Sequence, residues 1–257
     1  MADSAYSNAT VFAVDVGVYI SGAEGIPLHG TTFAWAKRRL PLTAGIFGQE
    51  PLPVRTNWTA DSHNIRVLVD TMVSALESGQ RVALGFEAPM WLPLFRLLPS
   101  QSFRLFQPRF EQERSREWYL QAGAAATTKG MSFAALLLSL VRERTKISQM
   151  TTDRRRWMES PSTVLLFEAF VAGSFKLPTP PGADRDEWDA QTAAIAYALA
   201  LMPSTESPFI SQTLVSADND SSSALSIWAA AARSVGLDDA ECRGRCDVVG
   251  LQPKPPE

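Results

Sequence analysis

Four acidic residues stand where their surroundings make them chemically costly. Asp15 lies near the end of the apolar run Thr10–Gly17 (TVFAVDVG), and Glu87 ends Arg81–Glu87 (RVALGFE). Glu168 lies inside Thr163–Val171 (TVLLFEAFV), and Asp189 follows Asp186 at the start of an alanine-rich stretch. The first three are embedded in apolar neighbours, so folding carries them out of water. An unpaired carboxylate taken out of water costs several kcal/mol or becomes neutral, and placing several together adds repulsion. A divalent cation removes both costs. Oxygen donors without His or Cys partners suit Mg²⁺ or Mn²⁺. Two such ions about 4 Å apart can activate a water and stabilise the leaving oxygen of a phosphodiester. Asp15, Glu87, Glu168 and Asp189 are therefore the expected catalytic set, with Asp15, Glu87 and Asp189 as metal ligands in a two-metal site. Any one acid alone is adequately explained by an arginine, a lysine or backbone amides. The set of four, placed strand, strand, strand and helix start, is what points to function.

Basic residues suggest where a phosphate would be held. Arg104, Arg109, Arg114 and Arg116 alternate with Phe103, Phe106, Phe110, Trp118 and Tyr119, a mixture that suits phosphate contacts and base stacking on single-stranded nucleic acid. Glu111, Glu113 and Glu117 lie among them, so a solvated, salt-bridged helix explains the same charges. Lys176, just after the Glu168 strand, either touches a phosphate or neutralises Glu168. Arg109, Arg116 and Lys176 are the substrate-binding candidates. Gly17, Gly22 and Gly25 follow neither the Walker nor the dinucleotide spacing.

The elements that must position these groups follow from periodicity. Thr10–Gly17, Thr31–Ala36, Arg81–Glu87 and Thr163–Val171 read as strands, rich in β-branched and apolar residues. Asp61–Ser78 reads as an amphipathic helix: Ile65, Leu68, Val69, Met72, Val73 and Leu76 share one face, with Asp61 as N-cap and Gly79 as stop. Strand, helix, strand in this order implies a parallel crossover. Ser132–Arg144, Asp186–Met202 and Ser223–Val235 read as further helices, and Arg109–Lys129 as partly helical. Asp186 and Asp189, three apart, share a face at the positive end of the helix dipole. The alanines behind them make a slim helix that can press close to a sheet.

Composition bounds the possibilities. The chain has 257 residues, 46% hydrophobic and 20% charged, an ordinary globular composition. A net charge of -3 excludes coating nucleic acid by bulk charge and leaves only a local patch. Cys242 and Cys246 read as reduced thiols, because His29 and His63 are too distant in sequence to complete a zinc site. The N-terminus lacks a signal-peptide pattern, and the apolar runs Met131–Val141 and Ala193–Met202 fall short of the roughly 20 residues a span needs. A cytoplasmic protein without membrane contact is expected, folded as one domain over residues 9–250 with loose termini at 1–8 and 251–257.

The order Asp15 (VDVG), Glu87 (GFEAP), Glu168 (LFEAF) and Asp189 (WDAQTAAIAYAL) resembles the RNase H-like superfamily, and most closely a set of uncharacterised bacterial proteins expected to be RNase H-like nucleases. The resemblance spans roughly residues 11–202 and rests on the order of the motifs. It implies an α/β fold: a mixed five-stranded sheet flanked by helices, its first three strands antiparallel, with Asp15 and Glu168 on neighbouring strands. It implies a divalent-metal-dependent nuclease or phosphodiesterase acting on nucleic acid. The sequence differs from nuclease members in having Glu rather than Asp at the second and third positions and in lacking a strongly basic groove segment. Two other functions fit the same core. One is a non-catalytic RNase H-like module binding a protein partner or nucleotide. The other is an actin-like phosphotransferase, for which a second glycine-rich phosphate loop is missing from the sequence.

Overall fold

A computed structural model describes residues 6–16, 33–42, 65–93, 95–97, 103–105, 109–111, 114–116, 121–145, 147, 149–160, 162–169, 176–204, 207–215, 224–244 and 246–254. The expected hairpin at 21–30, the glycines at 17, 22 and 25, both histidines and the expected N-cap Asp61 fall outside these residues.

The chain begins with strand β1 (Ala9–Asp15), then β2 (Ala34–Arg39), helix α1 (Ile65–Glu77) and strand β3 (Arg81–Phe86). Five three-residue strands follow: β4 (Trp91–Pro93), β5 (Phe95–Leu97), β6 (Phe103–Leu105), β7 (Arg109–Glu111) and β8 (Arg114–Arg116). Helix α2 (Gln121–Arg144), β9 (Gln149–Thr151), α3 (Arg154–Glu159), β10 (Thr163–Glu168) and α4 (Arg185–Leu201) come next. The chain then runs through β11 (Phe209–Val215), β12 (Ala224–Ser226), α5 (Ile227–Ser234) and β13 (Val248–Pro253).

The structure is mixed α/β. Its main sheet has seven strands rather than the five expected, in the order β11-β13-β10-β3-β1-β2, with β9 also on β10. β1 runs antiparallel to β2 and parallel to β3, and β10 runs parallel to β3, β9 and β13. β3 lies between β1 and β10, so Asp15 and Glu168 share a sheet but are not on neighbouring strands, contrary to expectation. The stretch 109–129, expected to be partly helical, is helical from Gln121, while β7 and β8 within it pair antiparallel. Two corrections concern the termini. The tail expected to be loose from residue 251 is strand to Pro253, with Leu251 buried. At the other end Tyr6 stacks on Trp157 with ring centroids 6.0 Å apart, so that terminus is docked from Tyr6 onward.

Strand alternation divides the core into two layers. Phe12, Val14, Leu84, Phe86, Val164 and Leu166 face α1, α2 and α5. α1 buries Leu68, Val69, Met72 and Val73 there and stops before Gly79, whose φ of 73° suits a residue without Cβ. α2 from Gly123 to Arg144 is the one described helix long and apolar enough to cross a membrane. It buries Phe133, Leu137, Leu138 and Val141 in this layer, and each such side chain contributes roughly 1.5–3 kcal/mol.

On the other face Val11, Ala13, Ala83, Leu165 and Phe167 pack against α4. Close approach there has two causes. Ala190, Ala194, Ala196 and Ala198 keep the helix slim and are all buried. Gly85 leaves room for its cross-strand partner: a Cβ at that position would lie 2.2 Å from the Phe167 ring. That ring stacks on Tyr197 of α4 at 3.7 Å with an interplanar angle of 3°.

Candidate functional site

The register of three strands decides which acids meet. Val14 pairs with Phe86, and the Glu87 N–H donates to the Val14 carbonyl at 2.7 Å, so the ladder carries on to set Glu87 beside Asp15. Phe86 pairs in turn with Glu168, and the Ala169 N–H donates to the Phe86 carbonyl at 2.9 Å. The row across the sheet is therefore Asp15, Glu87, Ala169. Asp15 continues the alternation of Val11 and Ala13, and Glu87 that of Ala83 and Gly85, so both rise from the face that α4 covers.

Glu168 belongs to the other face, in phase with Val164 and Leu166. It is fully buried, and its Oε2 accepts from the Met90 N–H at 2.9 Å. The Met90 carbonyl accepts from the Ile227 N–H at 2.9 Å, tying the segment after β3 to the start of α5. The expected fourth member of the carboxylate set is thus a backbone acceptor on the opposite side of the sheet.

Asp189 arrives from α4. The helix is capped by Asp184, whose carboxylate accepts from the Glu187 N–H at 3.0 Å, a partner that the free amides of a first turn require. Five residues beyond this cap, Asp189 points into the sheet with its side chain only 3% exposed. One oxygen each from Asp15, Glu87 and Asp189 lies within 4.8 Å of the others, a spacing at which three carboxylates can share an ion. Asp186, on the same face by spacing, is not part of this group.

Lys176 lies between two of the acids. Its ammonium donates to Glu87 Oε1 at 2.9 Å and is ion-paired with Asp189 Oδ2. The indole N–H of Trp188 donates to the Leu177 carbonyl at 3.3 Å and fixes this stretch against α4. Arg185, absent from the sequence candidates, has its Nε 3.8 Å from Asp189 Oδ2 and its side chain largely in solvent. The i to i+4 spacing of Arg185 and Asp189 was the available signal.

Among the described residues, three acids meet one buried cation at this site. Burial, then the charges of Asp15 and Asp189, push the Glu87 carboxyl well above its usual range, against the pull of Lys176. Burial also raises Asp189, opposed by Lys176 and Arg185. Burial works against the Lys176 ammonium, yet the Glu87 charge and hydrogen bonds to Asp189 and Glu87 leave its pKa raised. Glu87 Oε2 and Asp189 Oδ1 are buried with no hydrogen-bond partner. Glu87 and Asp189, but not Asp15, line a cavity of about 20 Å³ together with Lys176, Ala169, Thr192 and Leu251. That is room for about one water-sized species. Oxygen donors and two unpartnered buried oxygens fit Mg²⁺ or Mn²⁺, which Asp15, Glu87 and Asp189 would hold.

Arg109 and Arg116 face each other across the β7–β8 hairpin, whose β7 backbone approaches β11 at the sheet edge. Their side chains lie outside the described residues. Cys242 and Cys246 are free and buried, and burial pushes the Cys242 thiol up to about 12.

No family model, no curated protein and no solved structure matches the chain.

Proposed function

We propose that the protein is a divalent-metal-dependent phosphodiester hydrolase acting on nucleic acid, built on an RNase H-like core. The observation that carries this reading is the convergence of Asp15, Glu87 and Asp189 within 4.8 Å, in a buried site with one lysine and two unpartnered oxygens. The strand order β2-β1-β3-β10, antiparallel then parallel, supports the RNase H-like reading, with β9, β11 and β13 as additions to it. An ion held by Asp15, Glu87 and Asp189 would supply Lewis-acid activation and charge neutralisation. The residues do the rest. Asp15 and Glu87 are held by continuous strand hydrogen bonds, so their carboxylates need little reorganisation. Lys176 offers an ammonium at the rim of the same cavity, 25% exposed, where it can meet an anionic substrate. Arg109 and Arg116, at opposed positions of one hairpin, would contact phosphates farther along the strand.

The test is a cleavage panel of single strands, duplexes, RNA–DNA hybrids and branched junctions with Mg²⁺ or Mn²⁺. Cleavage of at least one member, stopped by EDTA, is expected. If no member is cut with either ion, the second reading stands: a non-catalytic module binding a protein partner or nucleotide. One observation favours that reading, since Lys176 already bridges Glu87 and Asp189.

A further inference from the structure

We infer that the outer edge of β2 holds a second site, for a phosphate group, with Arg38 as its anchoring cation and Lys37 and Arg39 beside it. The site lies at the far end of β1 from the acids and does not rest on the metal-binding reading. Thr10 and Asp15 are five residues apart on that strand, about 17 Å at roughly 3.4 Å per residue.

Arg38 carries the inference. Lys37 and Arg39 are exposed, whereas Arg38 between them is only 5% exposed. A buried arginine is ordinarily paired with an anion, because uncompensated charge away from water is strongly opposed. Among the described residues Arg38 makes no ion pair: its Nη1 donates to the Lys37 carbonyl at 3.0 Å, and its Nε is buried with no partner. Burial alone lowers its pKa, to about 10, with no acid holding it up.

The ladder fixes where the guanidinium lies. The Leu40 N–H donates to the Ala9 carbonyl at 2.8 Å, so alternate residues of β2 turn their backbone groups toward β1 and the Lys37 carbonyl faces away from it. β2 is the last strand of the sheet among the described residues, which puts the guanidinium on the Lys37 carbonyl at the outer edge. An open cavity of about 900 Å³ runs there between β2 and α1, lined in part by Thr10, Lys37, Arg38, Arg39, Ser74 and Gln80. Lys37 pairs with Phe12 and Arg39 with Thr10, so both basic side chains rise on the face that carries Phe12. Among the described lining residues three cations meet one acid, Asp70, which is already ion-paired with Arg144 of α2. What the edge lacks is an anion. A phosphate monoester carries about 1.5 to 2 negative charges near pH 7, and an arginine can meet two of its oxygens at once. The cavity has room for the rest of a nucleotide-sized molecule.

The test titrates the full chain with inorganic phosphate in EDTA, so that a metal at the acid cluster plays no part. The wild type is expected to bind one phosphate per chain, with a melting temperature that rises with phosphate concentration. Arg38→Met keeps much of the bulk and removes the charge. It should bind phosphate at least roughly tenfold more weakly. Without phosphate it should melt at or above the wild-type temperature, since a buried charge without an anion has gone. Further titrations with a nucleoside monophosphate and with oligonucleotides bearing a 5′-phosphate or a 5′-hydroxyl identify the source. Tighter binding of the mononucleotide than of inorganic phosphate assigns a free nucleotide. A preference for the 5′-phosphorylated strand over both assigns a strand end. No saturable phosphate binding by the wild type, or equal binding by Arg38→Met, would overturn the site. Should Arg38→Met not fold, a chain carrying both Lys37→Ala and Arg39→Ala, at two exposed positions, decides: weakened phosphate binding supports the site and unchanged binding overturns it.

Discussion

Two groups of buried charges touch the same face of α4, and they are balanced differently. Toward the start of the helix lie Asp15, Glu87, Asp189 and Lys176, three acids to one buried cation among the described residues. Eight residues on, about 12 Å along the axis at 1.5 Å per residue, Tyr197 meets Arg154 and Asp247. There Asp247 Oδ2 accepts from Arg154 Nε at 2.5 Å and from the Tyr197 hydroxyl at 3.3 Å, and the guanidinium lies 5.4 Å from the Tyr197 ring centroid. Burial, then the Asp247 charge, keep that hydroxyl protonated as a donor. One cation meets one anion, so the group is neutral without help. It closes the place beside β10 where the neighbour changes from β9 to β13. A balanced group can be purely structural. The other group, on the same helix, has more acids than cations among the described residues, and its Glu87 Oε2 and Asp189 Oδ1 have no hydrogen-bond partner.

The sharpest break in this comparison is Asp15→Asn. It removes a charge from the unbalanced group and keeps the shape. Metal-dependent cleavage should fall on the order of 10³-fold or more, since the ion's contribution is several kcal/mol at 1.36 kcal/mol per tenfold. Circular dichroism should be unchanged, and the melting temperature without metal should hold or rise. A rate within a few-fold of wild type would remove Asp15 from the site. Asp247→Ala is the counterpart in the balanced group. It leaves the Arg154 cation without its anion and should destabilise the fold by about 3 kcal/mol in a denaturant titration. Mn²⁺ affinity of the folded protein should not change. A change in affinity without a loss of stability would reverse the roles of the two groups.

The unbalanced group was partly legible from sequence. Asp15 and Glu87 could be placed because each lies at or near the end of an apolar run, and Asp189 because it follows a helix start. Glu168 could not. The run TVLLFEAFV is apolar on both sides of the strand, as expected of a buried parallel strand, so alternation does not reveal which face the acid takes. Only the pairing of Glu168 with Phe86 turns it away from Asp15. The same limit hid Asp247, whose partners are 93 and 50 residues away in sequence. β13 was missed because prolines dominate the tail, although a strand tolerates Pro253 at its end. The β7–β8 hairpin was missed because mixed charges and aromatics suit a helix and a ribbon equally.

A smaller effect separates the groups by pH. Glu87 and Asp189 have pKa values raised in the folded protein, so between the ordinary carboxylate range and the raised values the folded state holds more protons than the unfolded one. Stability then falls as pH rises. The contribution is fully present below the ordinary values and lost as pH climbs through the folded ones. Lys176, also raised, loses its contribution only above the usual lysine value of 10.5, outside this window. In EDTA, the melting temperature of the wild type relative to Glu87→Gln should decline as pH rises above the ordinary carboxylate range. Saturating Mn²⁺ should flatten the decline, since binding to the folded state adds RT ln(1 + [Mn²⁺]/Kd) to its stability. A difference that is level or rises with pH in EDTA would mean the acids are already compensated.

The smallest expected effect is that of Glu168→Gln, and it tests the face assignment directly. The substitution removes the charge but keeps an oxygen that can accept from the Met90 N–H. A fourth metal ligand so changed would lose much of its hold on the ion. A backbone acceptor on the opposite face should leave the cleavage rate within about threefold and stability within about 1 kcal/mol, the net worth of one hydrogen bond. Glu168→Ala differs, because it leaves the buried Met90 N–H without this acceptor. That should cost roughly 1–3 kcal/mol, and it loosens the segment that begins directly after Glu87. Activity lost in Glu168→Ala but kept in Glu168→Gln is therefore the expected pattern: Glu168 acts through the backbone beside Glu87. Equal, large losses in both variants, with the fold intact, would return Glu168 to the metal site and undo the reading of the β3–β10 register.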